Sequence, residues 1–213
     1  MQLYLSSVSN LLWKSLIELM KLKELENFRL VGGTNLSLQL GHRESVDIDM
    51  YTDAEYGSID FLKIEEVLRE KFSYIDSLSI DIIGMGKSFF IGNEAPDLVK
   101  LDLFYTDNFV FPLIEVKGVR FASIEEIAAM KLDVIGRGGR KKDFWDFHEL
   151  LGKFSLNEMI DFYIKRYPYN LNREEIIRGL TNFEKAEYEF TPICFKDKVW
   201  EIIKLDIEEL VKN

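Results

Sequence analysis

FRLVGGTNLSLQLGHRESVDIDMY, residues 28–51, decides how this chain is read. It opens on a short apolar run, Phe28, Leu30 and Val31, that predicts a buried strand. Gly32-Gly33 ends the run with backbone conformations closed to other residues. Thr34 stands at the expected N-cap of a helix carrying Leu36, Leu38 and Leu40, and Gly41 stops that helix. Beyond His42-Arg43 comes Asp47-Ile48-Asp49, which as a strand turns both carboxylates to one face and Ile48 to the other.

Two carboxylates on one face, with no basic residue between them, repel each other unless a cation joins them. Mg2+ takes hard oxygen ligands and keeps positions open for substrate phosphates. A Gly-Gly turn into a helix start presents bare N–H groups, a natural cradle for phosphate. A phosphate cradle beside a metal pair points to phosphoryl or nucleotidyl chemistry.

Gly32-Gly33-Thr34, followed thirteen positions on by Asp47-Ile48-Asp49, resembles the first motif of the polymerase-beta-like nucleotidyltransferases. The longer string GGTNLSLQLGHRESVDIDMY resembles more specifically the AbiEii/AbiGii toxin family, the nucleotidyltransferase toxins of bacterial abortive-infection and toxin–antitoxin systems. The resemblance implies an α+β fold: a mixed sheet flanked by helices, then a helical C-terminal portion. It further implies that Gly32, Gly33, Thr34, His42, Arg43 and Ser45 lie at the nucleotide's phosphates, and that Asp47 and Asp49 bind metal.

Composition bounds the rest. The 213 residues suffice for one large domain, or for a catalytic domain with an appendage, and 47% of them are hydrophobic, enough for a substantial core. No apolar run is long enough to span a bilayer, and the N-terminus lacks the basic opening and cleavage site of a signal peptide. The single cysteine, Cys194, excludes an internal disulfide, fits a reducing cytoplasm and reads as a small buried residue. A net charge of −10 argues against a broad, non-specific nucleic-acid surface but leaves room for a local basic patch.

Taken in order, residues 6–24 predict a surface helix capped by Ser6 or Ser7, and residues 58–72 a second one capped by Ser58. Strand-like pieces follow at 78–83, 88–91 and 98–105, and 113–122 predict a hairpin turning at Lys117-Gly118. At Ser123 the pattern changes. Ser-x-x-Glu is a capping-box signature, and helices are expected over 123–135, 141–151, 155–166, 172–182 and 195–211. The chain is therefore divided into residues 1–122, an α/β nucleotidyltransferase core, and 123–213, a helical portion expected to complete the active site.

Asp102 sits between Leu101 and Leu103 in a central strand, where a carboxylate without a partner is costly, so it is expected to face the site. The resemblance makes it the third metal carboxylate, helping to activate the attacking hydroxyl, with two metals about 4 Å apart. A solvated edge-strand position is the competing reading.

The second signature is MKLDVIGRGGRKKDFWDFHEL, residues 130–150. Its Lys131, Arg137, Arg140, Lys141 and Lys142 reverse the sign of an acidic chain and suit a triphosphate and its departing pyrophosphate. The resemblance carries the family's lysine onto Lys131, its arginine onto Arg137 and its Lys-Asp-x-x-Asp onto Lys142, Asp143 and Asp146; Lys131 and Asp143 join the catalytic set. Plainer readings exist: Asp143 as an acid at a helix start, Asp146 as the partner of Lys142, and Arg140 and Lys141 as solvated charges. Phe144 and Trp145 read as core contacts and His148 as structural. The aromatics Phe162, Tyr163, Tyr167 and Tyr169 fit either core packing or base stacking.

The resulting expectation is an enzyme that moves NMP from NTP to an acceptor hydroxyl with Mg2+ (Mn2+ as the alternative). By resemblance, the acceptor is a tRNA 3′ end and an antitoxin is encoded alongside. The rivals are the same chemistry on a small molecule or a protein, and a non-catalytic nucleotide-binding module. The three carboxylates count against the last.

Overall fold

The computed structural model describes residues 2–77 and 84–212; the strand expected at 78–83 lies outside them. Around the opening motif the chain runs strand, helix, strand. β1 (Arg29–Leu30) passes directly into α2 (Gly32–Leu40), which follows the N-terminal α1 (Asn10–Met20). The reversal is abrupt because Gly32 takes a left-handed φ of 69°, and Gly41, at φ 62°, ends the helix as expected. β2 (Asp47–Thr52) then returns antiparallel to β1, Leu30 opposite Met50.

After α3 (Phe61–Lys71) come β3 (Tyr74–Ser77), β4 (Gly86–Glu94) and β5 (Asp97–Tyr105). The predicted hairpin is present as β6 (Ile114–Val116) and β7 (Val119–Phe121), with Lys117 and Gly118 both at positive φ, the geometry a two-residue turn needs. Among the described residues these strands form one seven-stranded sheet, in the order β3-β4-β5-β2-β1-β7-β6. It is mixed: β2 runs parallel to β5 and β1 parallel to β7, while the other neighbours are antiparallel.

The sheet separates two cores. Ile48, Met50, Leu101 and Leu103 face a cluster that includes Leu12, Leu16 and Leu19 of α1. The opposite face carries Asp47 and Asp49 and looks toward α4 (Ile124–Gly136) and α5 (Lys141–Leu150). Beyond these lie α6 (Leu156–Arg166), α7 (Arg173–Leu180), the short α8 (Glu184–Glu187) and α9 (Trp200–Lys212). Their apolar sides enclose Phe144, Trp145 and Trp200 in the second core.

Several expected caps are corrected. Ser9, not Ser6 or Ser7, caps α1, and Asp60, not Ser58, caps α3. Thr34 is not an N-cap. It lies one turn inside α2, fully buried, its hydroxyl 2.8 Å from Ser45 Oγ and donating to the Asp47 carbonyl. A long-range partner has outbid the local one. The Ser123 box is half formed: Ser123 accepts from the Glu126 N–H, but the Glu126 carboxylate turns away to the N–H groups of Val110 and Phe111 and to Arg166.

Asn35 ties these parts together. Its side-chain amide donates to the Leu30 carbonyl at 2.7 Å and to the Ala122 carbonyl at 2.9 Å, joining β1, α2 and the entry to α4. Asn35→Ala strands the buried Ala122 carbonyl and leaves the Leu30 carbonyl only the Ala122 N–H, so urea denaturation is expected to show a loss of about 1–3 kcal/mol. A loss below about 0.5 kcal/mol would contradict the role given to Asn35.

Candidate active site

The site begins at the start of α2. No side chain caps this helix, so its first N–H groups point outward unpaired by any cap, the arrangement that receives an anion. Gly32 is required twice over. Its φ is left-handed, and a methyl group there would stand 2.5 Å from Asp49 Oδ2. A methyl on Gly33 would run into the Arg43 guanidinium. The two glycines thus let a carboxylate and a cation close onto the helix start.

On the sheet, Asp47 lies opposite Lys100 and Asp49 opposite Asp102 in the parallel pairing of β2 with β5. All four side chains therefore share one face. Asp49 is the unsatisfied one: among the described residues no hydrogen-bond donor reaches its carboxylate. Burial, together with the charges of Asp102 and Asp47, pushes it up to about 6. Asp47 is more open and has Lys142 Nζ at 3.7 Å. Asp102 accepts from Ser88 Oγ at 2.6 Å and from the Lys100 ammonium.

Among the described residues no three acidic, histidine or cysteine side chains converge as a ready-made metal cage. Asp102 is drawn aside by Ser88 and Lys100, and Asp47 toward Lys142. The bare Asp49 beside Asp47 nevertheless fits a divalent cation: two hard oxygen donors share a face, and their repulsion would be relieved by the charge.

Under the cleft lies a buried ionic cluster. Asp146, with no exposed surface, accepts from Arg43 Nε at 2.6 Å and Nη2 at 2.8 Å, pairs with His42 Nε2 at 2.7 Å, and meets Lys131 Nζ at 2.6 Å. Lys131 also holds Asp143 Oδ1 at 2.7 Å, while Asp143 Oδ2 accepts from the Arg140 N–H at 3.0 Å. Burial alone would neutralise these groups. The Arg43 and Lys131 charges instead hold the Asp146 carboxyl well below the usual range. Lys131 responds in kind: burial pulls its ammonium down, and Asp143 and Asp146 more than offset that.

The cleft above has a volume of about 130 Å3. Of the residues selected from sequence, Gly32, Gly33, Arg43, Ser45, Asp47, Asp49, Lys131, Lys142 and Asp143 line it. Others fall elsewhere. His42 and Asp146 lie beneath it, out of reach of a ligand, and Thr34 is packed inside α2. Asp146 pairs with Arg43, not with its helix neighbour Lys142. Arg137 is outside, exposed and paired with Asp133 at 3.1 Å. Lys141 is buried over the Trp200 ring rather than solvated.

Tyr51, Ile127, Met130 and Val134 also line the cleft, as does Arg140. The first four were legible: Tyr51 continues the alternation of Asp47 and Asp49, and positions 127, 130, 131 and 134 form one helical face. Arg140, one of the five clustered cations and plausible in sequence as a solvated charge, is brought to the cleft as the N-cap of α5.

A sheet bearing paired carboxylates beside an uncapped Gly-Gly helix start, roofed by cations, defines a nucleotidyltransferase. Comparison with known proteins gives its family. The model of the AbiEii nucleotidyl transferase toxin, of the type IV toxin–antitoxin system, matches residues 15–201. The chain belongs to that family. An uncharacterized protein of Aquifex aeolicus is 29% identical over 202 residues, covering 88% of this chain and 89% of its own. The fold is similar to that of MenT4, a nucleotidyltransferase toxin from Mycobacterium tuberculosis, with a TM-score of 0.60, 13% identity, and 92% of this chain and 82% of that one covered. It is also similar to JHP933 from Helicobacter pylori, with a TM-score of 0.54, 16% identity, and coverage of 93% and 88%. Among the described residues no helix is long and apolar enough to cross a membrane.

The buried Asp146 and the half-buried Asp49 predict opposite responses in metal-free buffer at pH 7.5. Asp146→Asn leaves the buried Arg43 without its carboxylate and Lys131 with Asp143 alone, and is expected to cost about 3–5 kcal/mol. Asp49→Asn removes a carboxylate held charged against its surroundings and is expected to stabilise by about 1–3 kcal/mol. Thermal denaturation in EDTA reads both; equal destabilisation by the two would refute the distinction.

Proposed function

We propose that this chain transfers a nucleotidyl group from NTP to the 3′-terminal hydroxyl of tRNA, with Mg2+ as cofactor and Mn2+ as its substitute, acting as the toxin partner of a cytoplasmic antitoxin. The observation that supports it most is the convergence of an uncapped helix start, the Asp47–Asp49 pair and a cationic roof on one cleft. In this reading residues 1–122 supply the carboxylates and the phosphate cradle, and residues 123–213 supply the roof. Asp47 and Asp49, with Asp102 adjoining, would hold the divalent metal, which contributes charge neutralisation at the attacked phosphate.

The protein's own groups do the remainder. N–H groups at Gly32 and Gly33 receive a phosphate. Lys131 and Arg43, fixed by Asp146, with Lys142 on α5 and Arg140 just before it, offset the negative charge of the triphosphate. Asp102, on the strand beside Asp49, takes the proton of the acceptor hydroxyl. The acceptor oxygen bonds to the α-phosphorus as the bond to the bridging oxygen breaks, and pyrophosphate leaves toward the cations.

Incubation with Mg2+, total tRNA and each labelled NTP in turn, beside Asp49→Ala, tests the proposal. Label on tRNA with the native protein, falling at least 100-fold in the variant, is the expected result. Label on protein or small molecules with none on tRNA would overturn the acceptor, and no transfer to any of them would overturn the activity.

A further inference from the structure

The cleft is not closed at its α5 end. It opens into a groove of about 380 Å3, and Arg43, Ser45, Arg140 and Lys142 line both spaces. The outer wall of the groove is residues 189–193. This segment is strapped to the Arg43 loop: the Glu44 N–H donates to the Ile193 carbonyl at 2.9 Å, and the Phe195 N–H to the His42 carbonyl at 2.9 Å. Its position therefore follows that of Arg43, which Asp146 fixes.

Phe190 lines this groove at 96% exposure, and Tyr188, two residues earlier, is 91% exposed. Neither ring contributes to the core, and Phe190 shares the groove with the Arg140 guanidinium and the Lys142 ammonium. Arg43 is already engaged by Asp146, so Arg140 and Lys142 meet Glu44 and Glu189 in equal number. In a chain of net charge −10 that balance is unusual. The larger cavity of about 850 Å3 at the far end of β2 is acidic instead. Asp53, Glu55 and Asp107 outweigh Lys165 and Arg166 there, and Arg166 is already engaged by Glu126.

We propose that this groove holds the single-stranded end of a nucleic-acid acceptor, a base stacked on Phe190 and its phosphates on Arg140 and Lys142. Exposed aromatic faces alternating with cations form the platform on which unpaired bases stack. Phe190 lines the outer groove and not the inner cleft, so it suits an unpaired base of the acceptor strand, whereas the nucleoside triphosphate occupies the cleft. The inference rests on the reading of the protein as an RNA-directed transferase and gives the acceptor its seat.

Fluorescence anisotropy of a labelled ten-nucleotide single-stranded RNA, with Phe190→Ala and Phe190→Trp, tests it. Phe190→Ala is expected to weaken RNA binding about tenfold, Phe190→Trp to restore it, and NTP affinity to stay unchanged in both. Because Phe190 is exposed, the melting temperature should not move. Unchanged RNA affinity in Phe190→Ala, or no RNA binding by the native protein, would overturn the proposal. Lost NTP affinity with intact RNA binding would overturn it too, assigning the ring to the incoming base. The two readings fail separately: equal tRNA labelling by native and Phe190→Ala proteins sinks the groove alone, and Phe190-dependent RNA binding without labelling sinks the transferase alone.

Discussion

One fully buried carboxylate, Asp146, organises this molecule. It gathers His42 and Arg43 from the loop after α2 and Lys131 from α4, and so joins the two sequence signatures across more than a hundred residues. A buried charge is tolerated only when it is paired and hydrogen-bonded, and here three partners meet that condition at once. The consequence is geometric. Arg43 can press against Gly33, and Lys131 can reach the cleft beside Asp143, only while Asp146 holds them.

Asp49 is the counterpart. It lies a short way up the same cleft, half-buried and without a donor, repelled by its neighbours. One acid is overcompensated and the other left bare. This asymmetry separates the scaffold of the site from its working edge, since a group left unsatisfied at a cost to stability is one that a ligand can satisfy. The uncapped start of α2 belongs to the same pattern, since its first N–H groups have no side-chain acceptor and can donate to an anion.

Much of this was legible in the residues. The Gly-Gly break, the period-two alternation of Asp47, Ile48 and Asp49, and the Gly41 stop are local rules, and the β1–α2–β2 unit obeys them. Lys117-Gly118 gave the hairpin for the same reason. The errors share a cause as well. Thr34, Ser58 and the carboxylate of Glu126 were assigned to local caps, and tertiary partners or a better neighbouring cap won. Asp146 was weighed against Lys142, one turn away, because a sequence displays neighbours and hides the loop that arrives from residue 43. Arg140 stands in the sequence among five clustered cations with no spacing to single it out, and Phe190 carries no periodic signal; the place of Phe190 comes from the strap between residues 42–44 and 193–195.

In the proposed function the bare carboxylate pair and the Asp146-held cations act as one metal-dependent triphosphate site. Calorimetric titration of a non-hydrolysable NTP analogue, with Mg2+ and then with EDTA, on the native protein and on Asp47→Ala, tests it most directly. The account predicts binding that requires Mg2+ and is lost in the variant. Equal affinity in EDTA, or binding untouched by loss of Asp47, would contradict it.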